Sequence, residues 1–181
     1  MAFSKEDYQE GLQCWTLAMS VQECSRCTAH KPDGSRCRIN TCKVGPMCWI
    51  HTKSKKHLQV KRSTTGHGLG LFAVKASKSD PDTIFKKGDK ISDYSGEIVQ
   101  GDIPKRDTSY MLSVSARYHI DGRKTNSSPG RYANDCHKTN KACNAKLSTN
   151  TTKRIAMIKS KKNIKNGEEI LVPYGKQYWK K

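Results

Sequence analysis

The sequence predicts a mostly β protein preceded by an N-terminal helix and a small metal-binding segment, and three observations carry that reading. From Leu58 onward the chain consists of short runs rich in Val, Ile, Leu and Tyr, separated by Gly and polar turns. Helical periodicity is confined to the first residues, and five of the eight cysteines crowd into residues 24–48. Strands do not alternate with helical stretches, which argues against a parallel α/β sheet, and no internal repeat suggests a solenoid. At 181 residues the chain is one domain of ordinary size with an appendage.

Residues 1–22 are expected to form the helix. Ser4 and Asp7 resemble a capping pair, and Tyr8, Leu12, Trp15 and Met19 share one face that would dock on the rest of the protein. Residues 23–52 are the Cys/His segment. Cys27, Cys37, Cys48 and His51 follow one another with nine, ten and two residues between them. Three thiolates and an imidazole suit a tetrahedral Zn²⁺ site, with Cys24 and Cys42 as spares or as substitutes for one of the four. Pro32, Asp33, Gly34, Gly45 and Pro46 supply turns that bend the segment around an ion. A piece this short has no core of its own and would need the metal to fold. Residues 53–59 read as a basic linker, opening the stretch KSKKHLQVKR with its five basic residues and no acid. Residues 60–181 form the β-rich body, whose strand-like runs are LQVKRSTT, LGLFAVKA, DKISDYSGEIV, SYMLSVS, RYHID, NAKLSTN, KRIAMIKS and EEILVPY.

Thirty-four Lys and Arg against sixteen Asp and Glu leave a net charge of +18, which points to a polyanionic neighbour. The residues MAFSKEDYQE contain no long apolar stretch, and nothing approaches a membrane span. An intracellular chain is therefore expected, with metal thiolates preferred to disulfides. On that basis Cys136 and Cys143 are expected to be buried thiols, and His119 and His137 to be surface residues.

Four separated stretches of the body carry the chemistry. They are Gly66, His67, Gly68, Leu69 and Gly70; then Tyr94, Ser95, Gly96 and Glu97; then Arg131, Tyr132, Ala133, Asn134 and Asp135; and finally Gly167, Glu168 and Glu169 with Tyr174 and Gly175. In this order and at these separations they resemble the SET-domain lysine methyltransferases, over about residues 60–179. The resemblance implies a SET β-fold of small antiparallel sheets with a pseudoknot that sets the Asn134 stretch beside the Tyr174 stretch. It implies methyl transfer from S-adenosylmethionine to a protein lysine, with Tyr174 as the catalytic tyrosine and Tyr94 lining the lysine channel. His67, Gly68 and Leu69 match the loop around the cofactor's methionine part, and Tyr110, Arg131, Asn134 and Asp135 match further cofactor positions. Asp135 stands where the family usually has His, and a buried carboxylate there needs partners of its own. No cysteine cluster follows Tyr174, so the C-terminal Trp179 is the candidate for covering the adenine.

The chemistry gives these residue types their reasons. Methyl transfer to an amine is an in-line displacement that relies on positioning and electrostatics, and the amine must be neutral. A narrow apolar channel lined by tyrosines favours the neutral form by desolvation. By family analogy the substrate is a histone or nucleosome and the location nuclear, with the basic surface in contact with nucleic acid. The Cys27–His51 pattern, including Asp33 to Arg38, also resembles the Cys3His motif of the plant WRC zinc modules, which are associated with DNA binding. The competing function is a non-catalytic zinc and SET module that holds chromatin or nucleic acid by charge. The lean core leaves a dimer open.

Overall fold

The structure is a computed structural model describing residues 25–41, 45–66, 68–102, 109–124, 127–137, 139–175 and 178–179. The helix expected over 1–22, Cys24, Cys42 and His67 lie outside the described residues.

The Cys/His segment pairs β1 (Ser25–Arg26) with β2 (Asn40–Thr41) and leads into α1 (Trp49–Lys56). Cys48 is extended at the N-cap of α1, and His57 closes the helix in the left-handed region, its N–H bonding to the Lys53 carbonyl at 3.0 Å. A helix this short is marginal alone. Buried Thr52 and the three lysines of the last turn, which face the negative helix end, support it. The linker expected over 53–59 is therefore absent: its residues are the end of α1 and the start of β3 (Leu58–Arg62). Leu58 and Val60 alternate inward and are buried, which spacing alone could not distinguish from a solvated basic run.

β3 pairs with β4 (Leu69–Ala73) as a hairpin whose turn is the glycine-rich stretch, and Ser63 N–H donates to the Gly68 carbonyl at 2.8 Å. β5 (Thr83–Phe85), missed in the sequence reading, pairs with the two-residue β12 (Ile164–Lys165). The run DKISDYSGEIV is two strands in different sheets. β6 (Lys90–Tyr94) joins β11 (Ile155–Ser160), which also pairs with β10 (Ala145–Asn150). β7 (Glu97–Gln100) joins β9 (Tyr118–Asp121), which also pairs with β8 (Met111–Ser113). The chain changes sheet at Gly96, where a Cβ would stand 2.0 Å from the Asp121 carbonyl oxygen, so only glycine fits.

The C-terminal run EEILVPY forms no ladder strand. It is wedged between β4 and the 133–145 segment. On one side Ile170 N–H donates to the Leu71 carbonyl at 2.7 Å and Glu169 bridges Phe72. On the other, Leu171 runs parallel to Asn134, Val172 N–H donates to the Asn134 carbonyl at 2.9 Å, and Ala145 N–H to the Leu171 carbonyl at 3.0 Å. Ile170, Leu171 and Val172 are fully buried as a result. Parallel pairing of Asn134 with Leu171, between distant stretches, gives the cross-threaded arrangement expected of the SET β-fold. The main core gathers Leu58, Leu71, Ala73, Ile91, Ile158, Ile164, Ile170 and Val172, with Tyr174 packed against it.

Two expectations are corrected. Cys136 and Cys143 are joined by a disulfide, with Cα atoms 5.3 Å apart, because they sit at the two ends of a short loop that turns back on itself. His119 is buried: Nε2 is 3.0 Å from the Gly101 carbonyl and Nδ1 2.9 Å from Ser113 Oγ, polar partners that spacing could not reveal. Among the described residues, no helix is long and apolar enough to cross a membrane.

Candidate active site

Tyr174 follows directly on the wedged segment, so its position is set by the burial of Leu171 and Val172. Its hydroxyl donates to the Ala133 carbonyl at 2.9 Å, reaching back to the Asn134 stretch. Tyr94 ends β6, and its hydroxyl donates to the Tyr110 carbonyl at 2.8 Å. Burial raises Tyr94 well above the ordinary tyrosine range, helped by Tyr174 and opposed by the positive charge of Arg131. Burial likewise raises Tyr174, with Tyr178 and Asp135 adding to it. Tyr110 adds to the upward shift of both, through its negative charge when ionised. The Tyr94 and Tyr174 hydroxyls each spend their proton on a main-chain carbonyl and keep their oxygen lone pairs for another donor.

Asn134 lies beside the hairpin turn: Nδ2 donates to the Leu69 carbonyl at 2.9 Å and to Glu169 Oε1 at 3.3 Å. Leu69, Asn134 and Glu169 are thereby brought together, while Gly68 is exposed at the turn. Arg131 is buried, and its guanidinium donates to the carbonyls of Gly122 (2.8 Å) and Lys124 (2.6 Å) and to the Tyr132 hydroxyl (2.9 Å), stacking 4.8 Å from that ring. Its visible role is to hold the 122–124 turn and the Tyr110 and Tyr132 rings, whose centroids are 6.2 Å apart.

Sequence reasoning left Glu169 without a role. Only 6% exposed, it accepts hydrogen bonds from Ser63 Oγ (2.6 Å), Thr64 N–H (2.9 Å), Thr64 Oγ1 and Asn134. A Cβ at Gly70 would stand 2.2 Å from its Oε1, so the glycine makes room for the carboxylate. The signal was an acid set directly before the apolar run ILV. Asn144, which follows the third stretch in sequence, likewise had no role assigned: its side chain donates to the Glu169 carbonyl at 2.7 Å and accepts the Leu171 N–H at 2.9 Å, completing the wedge.

Asp135 is buried, with its partners on hand. Oδ2 accepts the Tyr174 N–H at 3.0 Å and the Trp179 indole N–H at 2.8 Å, and Oδ1 accepts the His137 N–H at 2.9 Å. Trp179 stacks on exposed His137 with centroids 5.0 Å apart, and Tyr178 lies edge-on to both Tyr174 (4.8 Å) and Trp179 (5.1 Å).

The four atoms Cys27 Sγ, Cys37 Sγ, Cys48 Sγ and a ring nitrogen of His51 lie within 4.8 Å of one another, a set able to hold a metal ion. His51 Nδ1 is 3.6 Å from Cys27 Sγ and 3.3 Å from Cys48 Sγ. A tetrahedral Zn²⁺ with bonds of roughly 2.0–2.3 Å asks for ligand separations of about 3.3–3.8 Å, which the two His51 separations match. Burial opposes ionisation of Cys27, but amide N–H groups of Cys48 (3.2 Å) and Ala29 (3.5 Å) outweigh it and lower its pKa. Burial and the neighbouring thiols push Cys48 up to about 12. Burial and then Lys55 lower His51, favouring the neutral imidazole a metal needs.

The wedged C-terminal segment sets the half-buried Tyr174 against the Ala133–Asn134 stretch, and Asn134 in turn meets Leu69 at the end of the glycine-rich turn. The family model of the SET domain matches residues 57–175, and the chain belongs to the SET-domain family, whose members are generally protein-lysine methyltransferases. None of the curated proteins matches the chain. Among solved structures it is similar to a Plasmodium falciparum protein described as a candidate histone methyltransferase, with 22% identity, 70% of this chain and 99% of that chain covered, and a TM-score of 0.47.

Proposed function

We propose that this protein transfers a methyl group from S-adenosylmethionine to a lysine side chain of a histone, in the nucleus. The observation that carries the reading is the pair of tyrosines, Tyr174 and Tyr94, kept protonated by burial with each hydroxyl proton committed to a main-chain carbonyl. When bound, S-adenosylmethionine supplies a methyl group activated by a sulfonium. The two phenol oxygens accept N–H bonds from an incoming amine and orient its lone pair without competing as nucleophiles. The buried tyrosine surroundings favour the uncharged amine. Gly68, Leu69 and Asn134 are the residues that would hold the cofactor, with Glu169 fixing the turn behind them. Protonated tyrosines at this spot suit amine alignment better than simple chromatin binding, which needs neither hydroxyl.

For Cys27, Cys37, Cys48 and His51 we propose structural Zn²⁺, on the strength of the donor set and its separations. The net charge of +18 suits contact with nucleosomal DNA. Incubation with tritiated cofactor and either core histones or nucleosomes tests the whole reading: label on a lysine supports it. Absence of label on both, together with no cofactor binding by calorimetry, would overturn it in favour of the non-catalytic module.

A further inference from the structure

The side chain at position 135 answers three donors at once. Its carboxylate accepts the Tyr174 main-chain N–H, the Trp179 indole N–H and the His137 N–H, while 4% exposed. Such a load needs two acceptor oxygens. An imidazole has at most one acceptor nitrogen, and a carboxamide one acceptor oxygen and a donor group that would face an N–H. The three donors also have distinct addresses: the residue bearing the candidate catalytic hydroxyl, the turn after Asn134, and the C-terminal tail. The bond to His137 shapes the turn that brings the imidazole under the indole, at 5.0 Å and 28° between planes. Trp179 is thus gripped at its N–H by Asp135 and on its face by His137.

We infer that Asp135 is a positioning residue that latches Trp179 onto the 135–137 turn, making the C-terminal tail a wall of the cofactor site. The inference rests on the methyl-transfer reading for what the wall encloses, though not for the latch itself. His137 also stacks on the indole and Tyr178 lies edge-on to it, so loss of the indole N–H bond is expected to loosen the seating of Trp179, already 38% exposed, against the 135–137 turn. The latch also joins tail closure to the placement of Tyr174, since one oxygen serves both.

The test compares the full-length protein with Asp135→Asn, Trp179→Phe and the double variant. S-adenosylhomocysteine affinity is measured by calorimetry, and Trp179 emission is read as the difference from Trp179→Phe. Each single substitution is expected to weaken binding roughly tenfold, the scale of one charge-assisted hydrogen bond. The double variant should be no weaker than the poorer single, and Asp135→Asn should red-shift Trp179 emission. Unchanged emission in Asp135→Asn, or losses that multiply in the double variant, would overturn the latch. Trp179→Phe leaves the other two donors of the carboxylate in place, so its unchanged affinity overturns the wall even if Asp135→Asn does not fold. Should the native protein not bind S-adenosylhomocysteine at all, the methyl-transfer reading fails. The emission shift and non-additive melting temperatures of the variants then still decide the latch.

Discussion

The hydroxyl of Tyr174 donates a hydrogen bond to the carbonyl of Ala133 at 2.9 Å, across 41 residues of chain. That contact aligns the phenol oxygen at the end of the wedged segment with the stretch that carries Asn134. Removing the oxygen in Tyr174→Phe should cost turnover roughly 10²-fold or more, the scale of one lost transition-state contact. Folding should change little, since the ring stays packed. Single-turnover kinetics with saturating cofactor provide the check, and a variant with full activity would remove Tyr174 from the mechanism.

Glu169 should matter to stability as well as to binding. Its carboxylate collects the Ser63, Thr64 and Asn134 donors in a buried position, and Glu169→Ala strands them. The expected loss is roughly 2–4 kcal/mol, or about 5–15 °C in Tm for a domain of this size. Thermal melts followed by circular dichroism measure it. A shift below two degrees would show that the turn holds without its anchor.

Alkaline pH separates the two buried tyrosines from ordinary surface phenols. Burial raises Tyr94 and Tyr174, so between the unfolded value, about 10, and the higher folded values the unfolded chain loses protons that the folded chain keeps. Stability contributed by these groups is fully present below pH 10 and falls as pH rises above it. Melts from pH 8.5 to 11 should steepen in their decline above pH 10, and the Tyr94→Phe, Tyr174→Phe double variant should decline less. Activity, by contrast, should rise from pH 7 toward pH 9 as the substrate amine loses its proton.

The Cys/His segment should require its metal. Metal analysis is expected to return close to one zinc per chain, and a strong chelator should unfold residues 25–56 while leaving the β body folded, because binding and folding of such a segment are one equilibrium. Cys37→Ser should reproduce the effect. A metal-free protein with this segment still protected from amide exchange would refute the zinc assignment.

The disulfide closes a loop with a sequence separation of 7, which on the chain-entropy model contributes about 2–3 kcal/mol. A reductant should lower Tm by several degrees in the native protein and do nothing to a Cys136→Ser, Cys143→Ser variant. Equal sensitivity in both would place the effect elsewhere.

Residue order alone supplied much of this protein. Most strand runs between Leu58 and Ser160 were visible because period-two burial leaves a local trace, as in Ala156 and Ile158 of β11. The Cys27, Cys37, Cys48 and His51 set was visible because ligand chemistry constrains residue type and spacing. Tyr94, Asn134 and Tyr174 stood out through the joint pattern of four stretches. Non-local partners left no such trace. The incorporation of residues 53–59 into a helix end and a strand, the pairing of Cys136 with Cys143, and the enclosure of His119 all depend on what packs against them. The same holds for Asp135, which by sequence was a departure in need of partners. Only the tertiary structure supplied them, because a buried carboxylate is satisfied by donors from residues 137, 174 and 179, and the cost of burying it is settled where those segments meet.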